Sequence, residues 1–113
     1  MDNPKIDFTA IPWETPLPGA RYKAFEQDGR RVRLVEFTKE FVEPDWCSKG
    51  HIGYVLQGIL EVDFDGRVVR LSEGDGVFIP AGKETRHKAS TVTDVVKLIL
   101  VEDAEHEDSN RPR

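Results

Sequence analysis

The stretch GDGVFIPAGKETRH, residues 74–87, decides the fold. Gly74, Asp75 and Gly76 form a turn-rich entry. Val77, Phe78 and Ile79 follow as a short run of β-branched and aromatic residues, the composition of a strand. Pro80 ends the run where its missing N–H does least harm. Pro80-Ala81-Gly82 turns the chain again, with Gly82 at a position that requires φ > 0. A histidine, His87, comes five residues later. The unit is therefore turn, short strand, turn, and then a polar side chain.

The same pattern recurs on either side. RYKAFEQ (21–27) meets RVRLVEFTK (31–39) across Asp28-Gly29, a two-residue hairpin signal. HIGYVLQ (51–57) and ILEVDF (59–64) flank Gly58, a second tight turn. Asp65-Gly66 leads into RVVRLS (67–72), and TDVVKLILVE (93–102) closes the set. Leu60, Val62 and Phe64 alternate with Glu61 and Asp63, so one face of that strand is apolar. Val69 and Leu71 alternate with Val68 and Arg70. The run VVKLILV is apolar on both faces, β-branched and short, as expected of a central strand. No stretch carries a 3.6-residue apolar period. Many short strands at close spacing predict an all-β sandwich or small barrel.

Length and composition agree. The chain has 113 residues, enough for one compact domain. With 38% hydrophobic and 33% charged residues it reads as globular. A formal net charge of −5 and the lack of a basic patch argue against a nucleic-acid partner. No apolar run approaches the ~20 residues of a membrane-spanning helix. The N-terminus shows no basic and then apolar leader, so the expected location is the cytoplasm, where a lone thiol persists. The single cysteine excludes an intramolecular disulfide.

Residues 1–20 contain Pro4, Pro12, Pro16 and Pro18 and predict an extended arm with at most short strands. Its apolar residues Ile6, Phe8, Ile11 and Trp13 would suit a sheet edge or a partner subunit, and a homodimer is expected. Residues 21–103 form the barrel. Residues 104–113 are a polar tail expected to fray, and His106 within it is given no role.

The order and spacing of these turns resemble the cupin superfamily, the small jelly-roll barrels built as a double-stranded β-helix. The family's second motif is matched by Gly74, five residues, Pro80-Ala81-Gly82 and then His87. The first motif, which ends in an acidic residue, six residues and glycine, is matched in spacing by His51, six residues and Gly58. The resemblance covers about residues 33 to 101 and implies the cupin fold. Its metal positions depart from the usual pattern. The first histidine of the family's His-any-His becomes Asp45, the second becomes Cys47, and the acidic residue becomes His51. The last histidine becomes His87, two residues later than usual. The resemblance therefore implies a non-standard set of Asp45, Cys47, His51 and His87.

All four residues retain ligand chemistry. On a strand, Asp45 and Cys47 would share a face. Thiolate, imidazole and carboxylate all suit Zn²⁺, with Fe, Ni or Mn as other divalent candidates. Taken singly, each has a plainer role: Cys47 as a small buried hydrophobe, Asp45 in a turn after Pro44, His51 in a polar pocket and His87 at the surface. Cys47, His51 and His87 are the strongest three, and three ligands leave an open position. Trp46 could line the pocket mouth or pack on the rim. Tyr54, opposite in parity to His51, is expected to pack in the sandwich, and Gln57 shares His51's parity near the turn. Lys83, Glu84 and Arg86 read as a solvated loop.

Two functions follow from the resemblance. One is a metal-dependent cupin of isomerase, dioxygenase or decarboxylase type acting on a small polar substrate. The other is a metal-free module that binds or senses a small, sugar-like molecule.

Overall fold

The computed structural model describes residues 3–104. His106 and the polar tail lie outside the described residues, apart from Ala104, the first residue of that tail. The described residues form nine strands: β1 (Glu14–Leu17), β2 (Ala20–Gln27), β3 (Arg30–Thr38), β4 (His51–Gln57), β5 (Ile59–Asp63), β6 (Val68–Ser72), β7 (Gly76–Ile79), β8 (Lys88–Thr91) and β9 (Val95–Asp103). They build a six-stranded sheet in the order β1-β2-β3-β9-β4-β7 and a three-stranded sheet in the order β6-β5-β8. Every pairing between named strands is antiparallel. The result is the all-β jelly-roll barrel expected from the turn pattern.

The β2–β3 hairpin turns at Asp28-Gly29, with φ of 53° and 77°, and pairs Gln27 with Arg30. Two consecutive positive φ values give the twist that matches a two-residue hairpin. Gly58, at φ 84°, carries the chain from β4 in one sheet to β5 in the other. A Cβ there would lie 2.1 Å from the Val95 carbonyl oxygen, so only glycine fits.

β9 runs between β3 and β4, which explains its apolar character on both faces. Its even-numbered residues Val96, Leu98 and Leu100 point inward and are buried with Val35, Val55, Leu60 and Val62. This places the apolar core at one end of the barrel. Among the described residues no helix is long and apolar enough to cross a membrane.

One strand was not evident in the sequence, and another is a short strand of the kind expected in the arm. β8 (KAST) is short and largely polar, and β1 lies inside the proline-rich arm. The arm folds back on its own barrel. Lys23 Nζ donates to the Phe8 carbonyl at 2.7 Å, and Arg21 and Lys23 lie over the Trp13 ring. Tyr54 does not pack in the interior. On β4 the inward side belongs to His51, Gly53 and Val55, so Tyr54's opposite parity turns it outward, where it is 47% exposed.

Candidate functional site

At the polar end of the barrel, Cys47, His51 and His87 converge. One ligand atom from each lies within 4.8 Å of the others. His51 opens β4 on its inward face. Cys47 is held by a backbone pair with His87: Cys47 N–H donates to the His87 carbonyl, and His87 N–H to the Cys47 carbonyl, each at 2.9 Å. That reciprocal bridge brings two segments 40 residues apart in sequence into one register. The extra residues before His87 are taken up by a 3-10 turn, Lys83–Thr85. The chain then enters the barrel with His87 only 4% exposed.

Asp45 stands apart. Residues 43–50 are not a strand, so alternation does not carry Asp45 to the face of Cys47. It sits exposed at a bend after Pro44, outside the three-residue cluster. Trp46 packs on the rim, with the Arg86 guanidinium and the Lys88 ammonium over its ring. Lys83, Glu84 and Arg86 are exposed, and Arg86 pairs with Asp65. Gln57 is exposed at the far end of β4.

The two imidazoles are oriented from behind. His51 Nδ1–H donates to Glu102 Oε2 at 2.6 Å, because a carboxylate only accepts. That leaves Nε2 facing Cys47 Sγ at 3.9 Å. His87 Nδ1–H donates to the Thr85 carbonyl at 3.1 Å, leaving its Nε2 lone pair available. Outer partners of this kind fix the tautomer of a metal-binding histidine. Glu102 also accepts from Arg31 and Arg33. Burial alone would raise the Glu102 pKa, but the His51 hydrogen bond and the Arg33 charge outweigh it and bring it down to about 2. Burial likewise disfavours charge on His51, yet its hydrogen bonds to Cys47 and Glu102 hold its pKa above the ordinary value.

These residues open onto a cavity of about 360 Å³, within the usual range for small-molecule sites of roughly 300–1,000 Å³. Its wall includes Glu43, whose carboxylate accepts from Ala89 N–H at 2.9 Å. Burial raises the Glu43 pKa against that hydrogen bond and the nearby histidines. Lys49 lines the wall as well, its pKa lowered first by burial and then by the Arg31 charge. Glu43, Glu102, Arg31, Arg33 and Lys49 were not singled out from sequence. Parity held a signal for three of them. Arg31 and Arg33 share the inward face of β3 with Val35, and Glu102 shares that of β9 with Leu98 and Leu100.

The donor set fits a divalent ion. One thiolate and two imidazoles are good Zn²⁺ ligands and leave a fourth position open. A tetrahedral shell would place such atoms about 3.3–3.6 Å apart, from bond lengths of ~2.3 Å to sulfur and ~2.0–2.1 Å to nitrogen. The cluster would thus contract by up to roughly 1.5 Å around an ion, a shift within reach of side-chain torsions.

A family model described as "Cupin domain" matches residues 42–102. The chain belongs to the cupin domain family. Among solved structures this cupin is similar to KdgF from Halomonas sp., at 28% identity and a TM-score of 0.67, over 83% of this chain and 89% of that one. It is similar to an RmlC-like cupin from Shewanella frigidimarina at 17% identity and a TM-score of 0.73, over 95% and 96% of the two chains. It also resembles the polyketide cyclase RemF from Streptomyces resistomycificus at 20% identity and a TM-score of 0.73, over 91% and 80%. The last two likenesses speak to the fold alone. No curated protein sequence matches the chain.

Proposed function

We propose that this cupin binds a divalent metal ion, Zn²⁺ before Fe²⁺, Ni²⁺ or Mn²⁺, through Cys47, His51 and His87, and that the ion faces a cavity for a small polar substrate. The observation that carries the reading is the convergence of three ligand atoms within 4.8 Å, two from the stretch Cys47–His51 and one from His87. The thiolate favours Zn²⁺ over the harder ions. A bound ion of this kind supplies Lewis acidity toward a substrate oxygen. Glu102 holds the His51 tautomer, and Glu43 supplies a carboxyl inside the cavity that can take up or release a proton. Asp45, exposed at its bend, has no part in this set of ligands.

A homodimer also belongs to this reading. The outward residues Ile52, Tyr54 and Leu56 of β4 and Phe78 of β7 are 44–73% exposed, and Ile52 is directly opposite Phe78 in the sheet. These side chains, rather than the arm, form the apolar surface suited to a second copy.

The test of the metal reading is elemental analysis of untagged protein beside Cys47→Ala and His87→Ala. One ion per chain, lost in both folded variants, supports it. Protein that stays free of metal after incubation with Zn²⁺, Ni²⁺, Mn²⁺ and Fe²⁺ refutes it, and leaves a metal-free small-molecule binder.

A further inference from the structure

The inward face of β3 changes character along its length. Phe37 and Val35 belong to the apolar packing, while Arg33 and Arg31 continue the same parity into the cavity end that holds the cluster. Their side chains are only 18% and 13% exposed. Both converge on one carboxylate. Arg33 meets Glu102 as a fork, with Nε on Oε1 and Nη2 on Oε2. Arg31 reaches only Oε1, through Nε at 3.2 Å and Nη2 at 3.1 Å. Its Nη1 lies 3.8 Å from Glu26, a half-exposed residue outside the cavity lining.

Two guanidinium groups on one carboxylate leave positive charge in excess, and buried charge is costly unless it is matched. Lys49 adds a third cation to the same wall and Arg21, paired with Glu36, a fourth, while Glu43 is the carboxylate among the lining residues. A divalent ion on one thiolate would make the end more positive still. The whole chain, by contrast, carries a formal charge of −5. A cavity that concentrates cations inside an acidic protein selects a ligand of opposite sign. The planar fork of arginine fits a carboxylate in particular.

We propose that the cavity takes a small organic anion whose carboxylate sits on Arg31, with Arg33 alongside, next to the Cys47–His51–His87 cluster. The proposal deepens the metal-centre reading by naming the class of its substrate, but the charge pattern of the wall stands without the ion.

The test is calorimetric titration of the full chain, with and without Zn²⁺, using acetate, lactate, malonate and succinate, each paired with its neutral amide. Metal content is measured on every sample. At least one carboxylate is expected to bind ten times or more tighter than its amide. Arg31→Gln should lose at least tenfold of that affinity while melting cooperatively and keeping its metal. Arg31→Lys, which preserves charge but not the fork, should recover part of it and serves if Arg31→Gln does not fold. No bound carboxylate, amides that bind equally well, or a folded Arg31 variant of wild-type affinity would overturn the proposal. Metal-free protein that still binds carboxylates through Arg31 would retain the anion and discard the ion. Metal-loaded protein indifferent to carboxylates would do the reverse.

Discussion

Replacing Glu102 with glutamine tests how the cluster is held. The side chain is 3% exposed and accepts from His51, Arg31 and Arg33. Its pKa falls from an ordinary 4.5 to about 2, which by linkage amounts to on the order of 3 kcal/mol of stability at neutral pH. Because the folded-state value is depressed, this contribution is present above pH 4.5 and is lost as pH falls toward 2. Glutamine mimics the protonated carboxyl in shape and charge. It also turns an N–H toward His51 Nδ1 or forces a rearrangement, so His51 no longer presents Nε2 as a reliable acceptor. Glu102→Gln should therefore melt roughly 12–24 °C lower at pH 7, at about 4–8 °C per kcal/mol for a domain of this size. The gap should close as pH approaches 2. Metal affinity should fall about 10–100-fold, the usual cost of losing an outer partner. Circular-dichroism melts across pH, with a competitive chelator titration, measure both. A variant as stable as wild type at pH 7, or a gap that does not shrink in acid, would refute the reasoning.

Three other outcomes follow from the same geometry. Metal affinity should decline as pH drops through the raised His51 value, because the proton competes for Nε2, and chelator titrations between pH 5 and 8 (roughly the histidine range) should show it. In the metal-free protein the sign is opposite: the protonated His51–Glu102 pair stabilises the fold below the ordinary histidine value and is lost as pH rises through the raised one. Gly53→Ala should abolish soluble expression or cost more than ~4 kcal/mol, since the new Cβ would lie 2.0 Å from the Ile99 carbonyl oxygen; a normal urea midpoint would contradict this. Phe78→Asp with Ile52→Arg should convert a dimer to a monomer in light scattering with unchanged metal content, whereas deleting residues 1–13 should not.

The fold was legible because turns carry local chemistry. Asp28-Gly29, Gly58 and Gly82 each need a backbone conformation that few residues adopt, so composition marks them. β8 was not legible, since its place is set by pairing with β5 and its sequence, KAST, holds little apolar signal. The site was legible in part. Cys47, His51 and His87 stood out as ligand types, but Asp45 was joined to them by the spacing of the family motif and by a strand alternation that Pro44 and the bend at Asp45 interrupt. Arg31, Arg33 and Glu102 were overlooked for a different reason. They occur in strands that look like ordinary half-buried β, and only the pairing of β3 with β9 sets Arg31 directly opposite Glu102. Tyr54 shows that parity gives relative faces and not which face is inside. That depends on the partner sheet.

The most direct test of the central claim is the absorption spectrum of the Co²⁺-loaded protein beside Cys47→Ser and His87→Ala. A thiolate ligand gives a sulfur-to-cobalt charge-transfer band in the near ultraviolet, and intense visible bands mark a four-coordinate site. The account predicts both in the wild type at one Co²⁺ per chain. The charge-transfer band should vanish in Cys47→Ser, and His87→Ala should bind weakly with altered visible bands. Co²⁺ bound without a charge-transfer band, or a spectrum untouched by either substitution, would contradict it.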